Sequence, residues 1–311
     1  MTGLPVLDAD AVTAALPMRT AIDALRDALA AGLDPAADPA RAVIPVRHGQ
    51  VLLMPAEWGD HVGVKLATVA PANPGLGRPR IQGNYLLLDG PTLTPLAVLD
   101  GVALTAVRTA AVSALAVDQL AAPDASRLVV FGSGPQARSH VAALCAVRPV
   151  RQVVVVARDP TRTAAFAAEL AGPDLDVRAG TAADVATADL VACCTTAREP
   201  LFDGSLLPAT ATVVAVGSHE PDAREVDEQT VGGSTVVVEA RATALREAGD
   251  VVLAVAAGAC DPAALIELAD LVHGRPTVDA SRPRLFKSVG MAWEDLVIAA
   301  TAYQTTRGAR P

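Results

Sequence analysis

Apolar positions along the chain follow two different rhythms. The first is helical and covers residues 8 to 33. In "MRTAIDALRDALAAGL", Ile22, Leu25 and Leu29 recur at helical spacing and Gly32 supplies a stop, so two short helices are predicted. Short β-like runs follow, separated by Pro, Gly and Asn: "AVIPV", "QVLLMP", "HVGVKLATVA" and "IQGNYLLLD", with "PLAVLD" close behind. Short connections between such neighbours predict a mostly antiparallel or mixed sheet. From about residue 125 strands alternate with Ala-rich helical segments. The strands expected at 128–131, 153–156, 177–178, 190–195, 212–216 and 235–238 are almost wholly apolar, as in a parallel sheet covered on both faces. After residue 285 the chain reads as a turn and one long closing helix.

Composition narrows the picture. The 311 residues are 51% hydrophobic but only 3% aromatic, and the formal net charge is -9. An acidic, aromatic-poor chain is a poor partner for nucleic acid or an anionic membrane. No stretch reads as the roughly 20 strongly apolar residues of a membrane span, and "MTGLPVLDAD" carries no signal-peptide pattern. Cys145, Cys193, Cys194 and Cys260 lack CxxC spacing and read as small buried hydrophobes of a reducing cytoplasm. No metal is expected, since "HEPDA" lacks the second His of a zinc-protease helix.

The sharpest motif is Gly132-Ser-Gly134-Pro-Gln-Ala137, a GxGxxA turn directly after a strand and directly before a helix. Gly132 permits the tight turn, Gly134 lets backbone approach a pyrophosphate at the helix N-terminus, and Ala137 lets the helix pack on the strand. The expected fold is therefore α/β, with a Rossmann-type doubly wound parallel sheet domain over 121–287. The second strand of the nucleotide domain ends at Ala157-Arg158, with Arg162 a turn later. Arg158 suits a 2′-phosphate and favours NADP(H), while Asp159 keeps NAD(H) possible. Three isolated cations stand out near the ends of apolar segments: Arg41, Lys65 and Arg108. Arg108 shares a helix face with Leu104, Ala111, Val112 and Leu115. A buried guanidinium needs an anion, either a protein carboxylate or a ligand carboxylate. Lys65 reads equally as an edge or snorkelling lysine. Together the three cations point to a small carboxylate substrate. Past an apolar run, "GSHEPD" places His219 at a strand's carboxyl end, where its ordinary pKa near 6.5 suits proton exchange.

At this point the chain resembles the ornithine cyclodeaminase/mu-crystallin family, from about residue 40 to the closing helix. The marks are "LLMPA", "GVK", "IQG", "LAVLDGVALTAVRTAAVSALA", "GSGPQA", "AVG" and "LFKSVGMAWED". The resemblance implies a nucleotide domain, an α+β, β-rich domain built from 1–120 and 288–311 that binds substrate, forms a homodimer and receives the closing helix, and imino- or amino-acid chemistry with NAD(H) or NADP(H). It places Arg41, Lys65 and Arg108 on the substrate-carboxylate and catalytic cations, and Thr109, Gly132, Gly134, Pro135 and Gln136 on cofactor positions. With Arg158, the residues Thr195, Val216, Gly217 and Lys287 complete the expected cofactor set. Members that convert ornithine to proline resemble one another in a glutamate two residues before "MP" and an aspartate after the strand ending "VG". Here Leu52 and His219 occupy those places. The resulting expectation is a cytoplasmic reductase of cyclic ketimine carboxylates such as pyrroline-2-carboxylate or piperideine-2-carboxylate, with Lys65 and His219 as proton donors. The alternatives are an alanine-type amino-acid dehydrogenase, an ornithine cyclodeaminase, or a cofactor-dependent binding protein with little turnover.

Overall fold

The computed structural model describes residues 3–308. It separates into two units, one running through Thr109 and resuming at Met291, the other Ala110–Gly290. The first unit begins with β1 (Val6–Leu7), α1 (Ala9–Ala15) and α2 (Met18–Ala30), and continues through β2 (Ala42–Val46), β3 (Gly49–Trp58), β4 (His61–Val69), β5 (Ile81–Asp89) and β6 (Pro95–Asp100). Asp8 caps α1 by accepting from the Ala11 amide at 2.9 Å, and α2 buries Ile22, Leu25 and Leu29, then stops at Gly32 with φ +98°. The sheet order is β1-β6-β5-β4-β3-β2, antiparallel from β2 to β6, with β1 added parallel to β6.

Period-two alternation decides what each strand buries. Leu52, Met54 and Ala56 of β3, Gly63, Lys65 and Ala67 of β4, Tyr85 and Leu87 of β5, and Ala97 and Leu99 of β6 are all buried. The closing helix, Ala292–Gly308, packs on β3, β4 and β5 and against α2. Each fully buried leucine there contributes roughly 1.5–3 kcal/mol, and that apolar burial offsets the cost of taking one lysine out of water.

Helix α3 (Gly101–Leu120) follows β6 directly, and Asp100 caps it by accepting from the Val102 and Ala103 amides. The division between units falls inside this helix, at Thr109, rather than at its end where the sequence placed it. By length and composition α3 does qualify as a membrane span, contrary to the sequence reading, but 72% of its most apolar window is buried within the protein.

The second unit runs β7 (Arg127–Phe131), α4 (Pro135–Val147), β8 (Gln152–Val156), α5 (Pro160–Leu170), β9 (Asp176–Ala179), β10 (Leu190–Cys193), β11 (Thr212–Ala215), α6 (Glu228–Gly233), β12 (Thr235–Val238), α7 (Arg241–Glu247), α8 (Gly249–Ala256), β13 (Ile266–Glu267), α9 (Leu268–Val272) and β14 (Arg284–Lys287). All pairings are parallel, in the order β13-β12-β14-β11-β10-β7-β8-β9. Strand order reverses beside β7, whose neighbours are β8 and β10, and such a switch point is where doubly wound sheets bind ligands, outside the strands' carboxyl ends.

One central strand departs from expectation. Arg284–Lys287 is not a turn but β14, buried between β11 and β12. Its charged ends hide it in the sequence, and inside the fold both ends find partners. Arg284 donates from Nε to the Leu120 carbonyl at 3.0 Å, and Lys287 is paired as described below.

Candidate active site

Each unit contains a buried cluster of charged side chains. In the first unit, Lys65 of β4 lies on the helix-facing side of the sheet and is only 4% exposed. Its Nζ donates to both carboxylate oxygens of Asp295, at 3.1 and 3.2 Å. Arg108 of α3, likewise buried, donates from Nη1 to Glu294 Oε2 at 2.7 Å, and its Nε lies 3.2 Å from Asp295 Oδ1. Two cations thus face two carboxylates from the first turn of the closing helix. The Trp293 amide donates to Asp38 at 2.7 Å, fixing the start of that helix. Arg108 therefore meets protein carboxylates, one of its two possible partners on the sequence reading. Lys65 is an interior residue rather than an edge or snorkelling one, since β4 is flanked on both sides. Arg41 is half-buried immediately before β2.

Burial drives the Lys65 pKa down to about 8. Asp295 opposes the shift and the Arg108 charge adds to it. A lysine so tuned exchanges protons near neutral pH, the range a general acid requires. Beside it in register stands Tyr85, whose pKa burial raises, so the phenol stays protonated. Gly63 accommodates this ring, because any Cβ there would collide with it. Tyr85 Oη, Trp293 Nε1 and Thr109 Oγ1 are buried with no hydrogen-bond partner among the described residues. Each such orphan costs about 1–3 kcal/mol, a cost that a bound polar ligand or water removes.

In the second unit the GxGxxA turn follows β7 directly. Gly132 has φ +113°, and a Cβ there would strike the Cys194 carbonyl, so only glycine fits. Gly134 is the N-cap of α4, with no side-chain cap, and the space where its Cβ would project is open. Pro135 takes the first helical position. Ala137 is fully buried beneath, allowing the close packing of helix and sheet. An uncapped helix terminus at the switch point, approachable through a missing Cβ, fits a dinucleotide pyrophosphate. Gln136 helps fix the turn through His140. Its carbonyl can only accept, so Nδ1 of His140 carries the proton (2.8 Å) and Nε2 accepts from Ser113 Oγ of α3 (3.0 Å). Burial lowers the His140 pKa to about 4, which keeps the ring neutral. At the tip of β8, Arg158 is exposed, while Asp159 is committed to capping α5 through the Thr161 and Arg162 amides.

The second charged cluster lies under the carboxyl ends of β10, β11 and β14. Glu225 is fully buried. It accepts from the amide and hydroxyl of Thr195, both at 2.7 Å, and from the Gly217 amide at 2.7 Å. Burial raises its pKa, against the pull of Lys287 and of these donors. Asp250 Oδ1 accepts from the Glu225 and Val226 amides, and Asp250 Oδ2 lies 2.8 Å from Lys287 Nζ. Lys287 also donates to the Ser218 carbonyl at 2.8 Å and is 1% exposed. Lys287 is thus held between Asp250 and the Ser218 carbonyl, and Thr195 and Gly217 donate to Glu225. Val216 is half-buried at the end of β11. His219 is exposed on the loop beyond, and Glu220 is ion-paired with Arg198 at 2.6 Å. The sequence reading missed Glu225, Asp250, His140, Tyr85, Glu294 and Asp295. Only "WED" carried a signal, as part of the resemblance.

A switch-point nucleotide turn in one unit, with a buried lysine and arginine held by carboxylates in the other, defines a dinucleotide-binding α/β enzyme of the oxidoreductase type. The chain belongs to the ornithine cyclodeaminase/mu-crystallin family, whose model matches residues 5–310. It is 34% identical over 271 residues to the ketimine reductase mu-crystallin of Mus musculus, covering 86% of this chain and 84% of that one. Identity is 36% over 309 residues to the Delta(1)-pyrroline-2-carboxylate/Delta(1)-piperideine-2-carboxylate reductase of Azospirillum brasilense, with 97% and 96% covered. The solved Delta(1)-pyrroline-2-carboxylate reductase of Thermococcus litoralis, a complex with NADH and L-proline, superimposes with TM-score 0.91 at 30% identity, covering 98% of each chain.

Proposed function

We propose that the protein is an NAD(P)H-dependent reductase of cyclic imino acids that yields the L-amino acid, with pyrroline-2-carboxylate or piperideine-2-carboxylate as substrate. The observation that carries this reading is Lys65, a buried lysine tuned to about pH 8 and held by Asp295 beside Arg108. The relatives named above act on such imines. When bound, the nicotinamide supplies a hydride for the imine carbon. Arg108 and Arg41 hold the substrate carboxylate by charge-assisted hydrogen bonds, with Glu294 and Asp295 fixing the guanidinium of Arg108 in place. Lys65 gives its proton to the imine nitrogen, which makes the carbon more electrophilic and balances the reduction. His219 is the second proton-donor candidate, from the loop after β11. Leu52 is buried on the face that carries Lys65, and His219 replaces the expected acid, so the carboxylates that would handle a diamine's second amine are missing.

NADP(H) is the preferred cofactor in this proposal. Arg158 and Arg162 are exposed beyond β8, while Asp159, the one acid there, is occupied as a helix cap. Gly132, Gly134, Pro135 and Gln136 would hold the pyrophosphate, and Val216 and Gly217 would line the remainder. The protein works as a cytoplasmic homodimer. Edge strand β2 is exposed throughout, with Val43, Ile44 and Val46 at 44–50%, and Leu66 adds to this apolar surface. The four cysteines are free thiols, which supports a reducing compartment.

Absorbance loss of NADPH with either imine tests the reading. Oxidation with pyruvate plus ammonia but with neither imine would replace it by an alanine-type dehydrogenase. Proline release from ornithine would replace it by a cyclodeaminase, and tight NADPH binding without any turnover by a binding protein.

A further inference from the structure

The loop 217–226, which carries His219, is tied at both ends by one buried ring of charges. At its start, the Gly217 amide donates to Glu225 and the Ser218 carbonyl accepts from Lys287. At its end, the Glu225 and Val226 amides donate to Asp250, whose other oxygen pairs with Lys287. Glu225 reaches across to hold Thr195, at the end of β10. The ring is closed sterically as well. A Cβ at Gly217 would strike the Thr195 carbonyl and the Glu225 carboxylate, and one at Gly249, the first residue of α8, would strike the Ala223 and Glu220 carbonyls. Outside, Arg198 clasps Glu220 and Asp222 at 2.6 Å each, and within the loop Ser218 Oγ donates to the Ala223 carbonyl at 2.5 Å. Lys287 joins the loop's start, at the Ser218 carbonyl, to Asp250, the acid that holds the loop's end.

We propose that Lys287, bridging Ser218 and Asp250, is a positioning residue that sets the His219 loop and the adjoining strand ends for turnover, and that its ammonium is not a cofactor ligand. Rigid placement matters here, because a misplacement of about 1 Å costs roughly a hundredfold in rate. The inference builds on the reductase reading, and the experiment separates the two.

Lys287→Met combined with Asp250→Asn removes the bridge together with its countercharge, while Asn still offers an oxygen to the Glu225 and Val226 amides. Asp250→Asn alone is the milder companion should the double variant fold poorly. Three readouts are compared with the parent: NADPH affinity, turnover of pyrroline-2-carboxylate, and hydrogen exchange of loop 217–226 measured without cofactor. The expected result is an NADPH Kd within about threefold, a kcat lower by roughly tenfold to a hundredfold, and loop exchange faster by about tenfold. A Kd raised tenfold or more with unchanged loop exchange would overturn the proposal and return Lys287 to the cofactor. Unchanged values for all three would overturn it as well. If the parent protein does not reduce the imine, the reductase reading fails, and exchange and NADPH affinity still decide the role of Lys287.

Discussion

The two buried charge clusters are built from the same residue types to opposite ends. In the second unit the carboxylates of Glu225 and Asp250 are spent on backbone amides, at 2.7–2.9 Å, and the lysine on a carboxylate and a carbonyl. Every partner there is main chain, the Thr195 hydroxyl or a countercharge, so the cluster shapes loops. In the first unit Asp295 and Glu294 have side-chain cations as their partners, and orphaned neutral groups lie in the same unit, Tyr85 and Trp293 among them. The lesson is that carboxylates spent on amides fix backbone, whereas carboxylates whose partners are side-chain cations hold those cations in place.

If that distinction is right, Lys65→Met gives the largest effect. Turnover of the imine should fall by about 10²–10⁴-fold, the ordinary contribution of a positioned acid, while NADPH affinity stays within about threefold. An activity loss below tenfold would remove Lys65 from the chemistry. Next in size, Arg108→Ala leaves buried Glu294 and Asp295 short of a countercharge. Stability should drop by about 3–5 kcal/mol and KM for the imine should rise far more than the Kd for NADPH. Equal losses would make Arg108 purely structural. Glu225→Gln keeps shape but exchanges one acceptor oxygen for a donor facing backbone N–H groups. A denaturant titration should show a loss of about 1–3 kcal/mol, with substrate KM little changed.

At neutral pH the smallest effect is expected at His140, where it emerges only as pH falls. Its pKa is about 4 in the fold against an ordinary 6.5, so the unfolded chain takes up the proton first as pH falls. The stabilising contribution is complete above about pH 6.5 and declines as pH drops toward 4, by roughly 3 kcal/mol at most. Replacing His140 with Asn should flatten that part of the stability profile.

Much of this organisation is legible from residue order. The β-runs "HVGVKLATVA" and "IQGNYLLLD" announce themselves by branched residues bounded by turn formers, and the Gly132 turn by its place between strand and helix. Arg108 is betrayed by the apolar stripe around it. What stays hidden is charge inside the protein. Strand β14, "RLFK", looks solvated at both ends because its partners, Leu120 and Asp250, are remote in sequence. Glu225 lies in the acidic stretch "DAREVDE", which reads as an exposed surface, and Asp250 resembles any acid in a helix's first turn. Lone charges become meaningful only once the fold supplies their partners.

The central claim is that Lys65 delivers the proton to an imino acid. The most direct measurement is kcat/KM for pyrroline-2-carboxylate with NADPH from about pH 6 to pH 10, in the parent and in Lys65→Met. The account predicts turnover that falls as pH rises through about 8, where Lys65 loses its proton, and a variant in which both the rate and that inflection are gone. A parent profile with no inflection near 8, or a variant that retains it, would contradict the account.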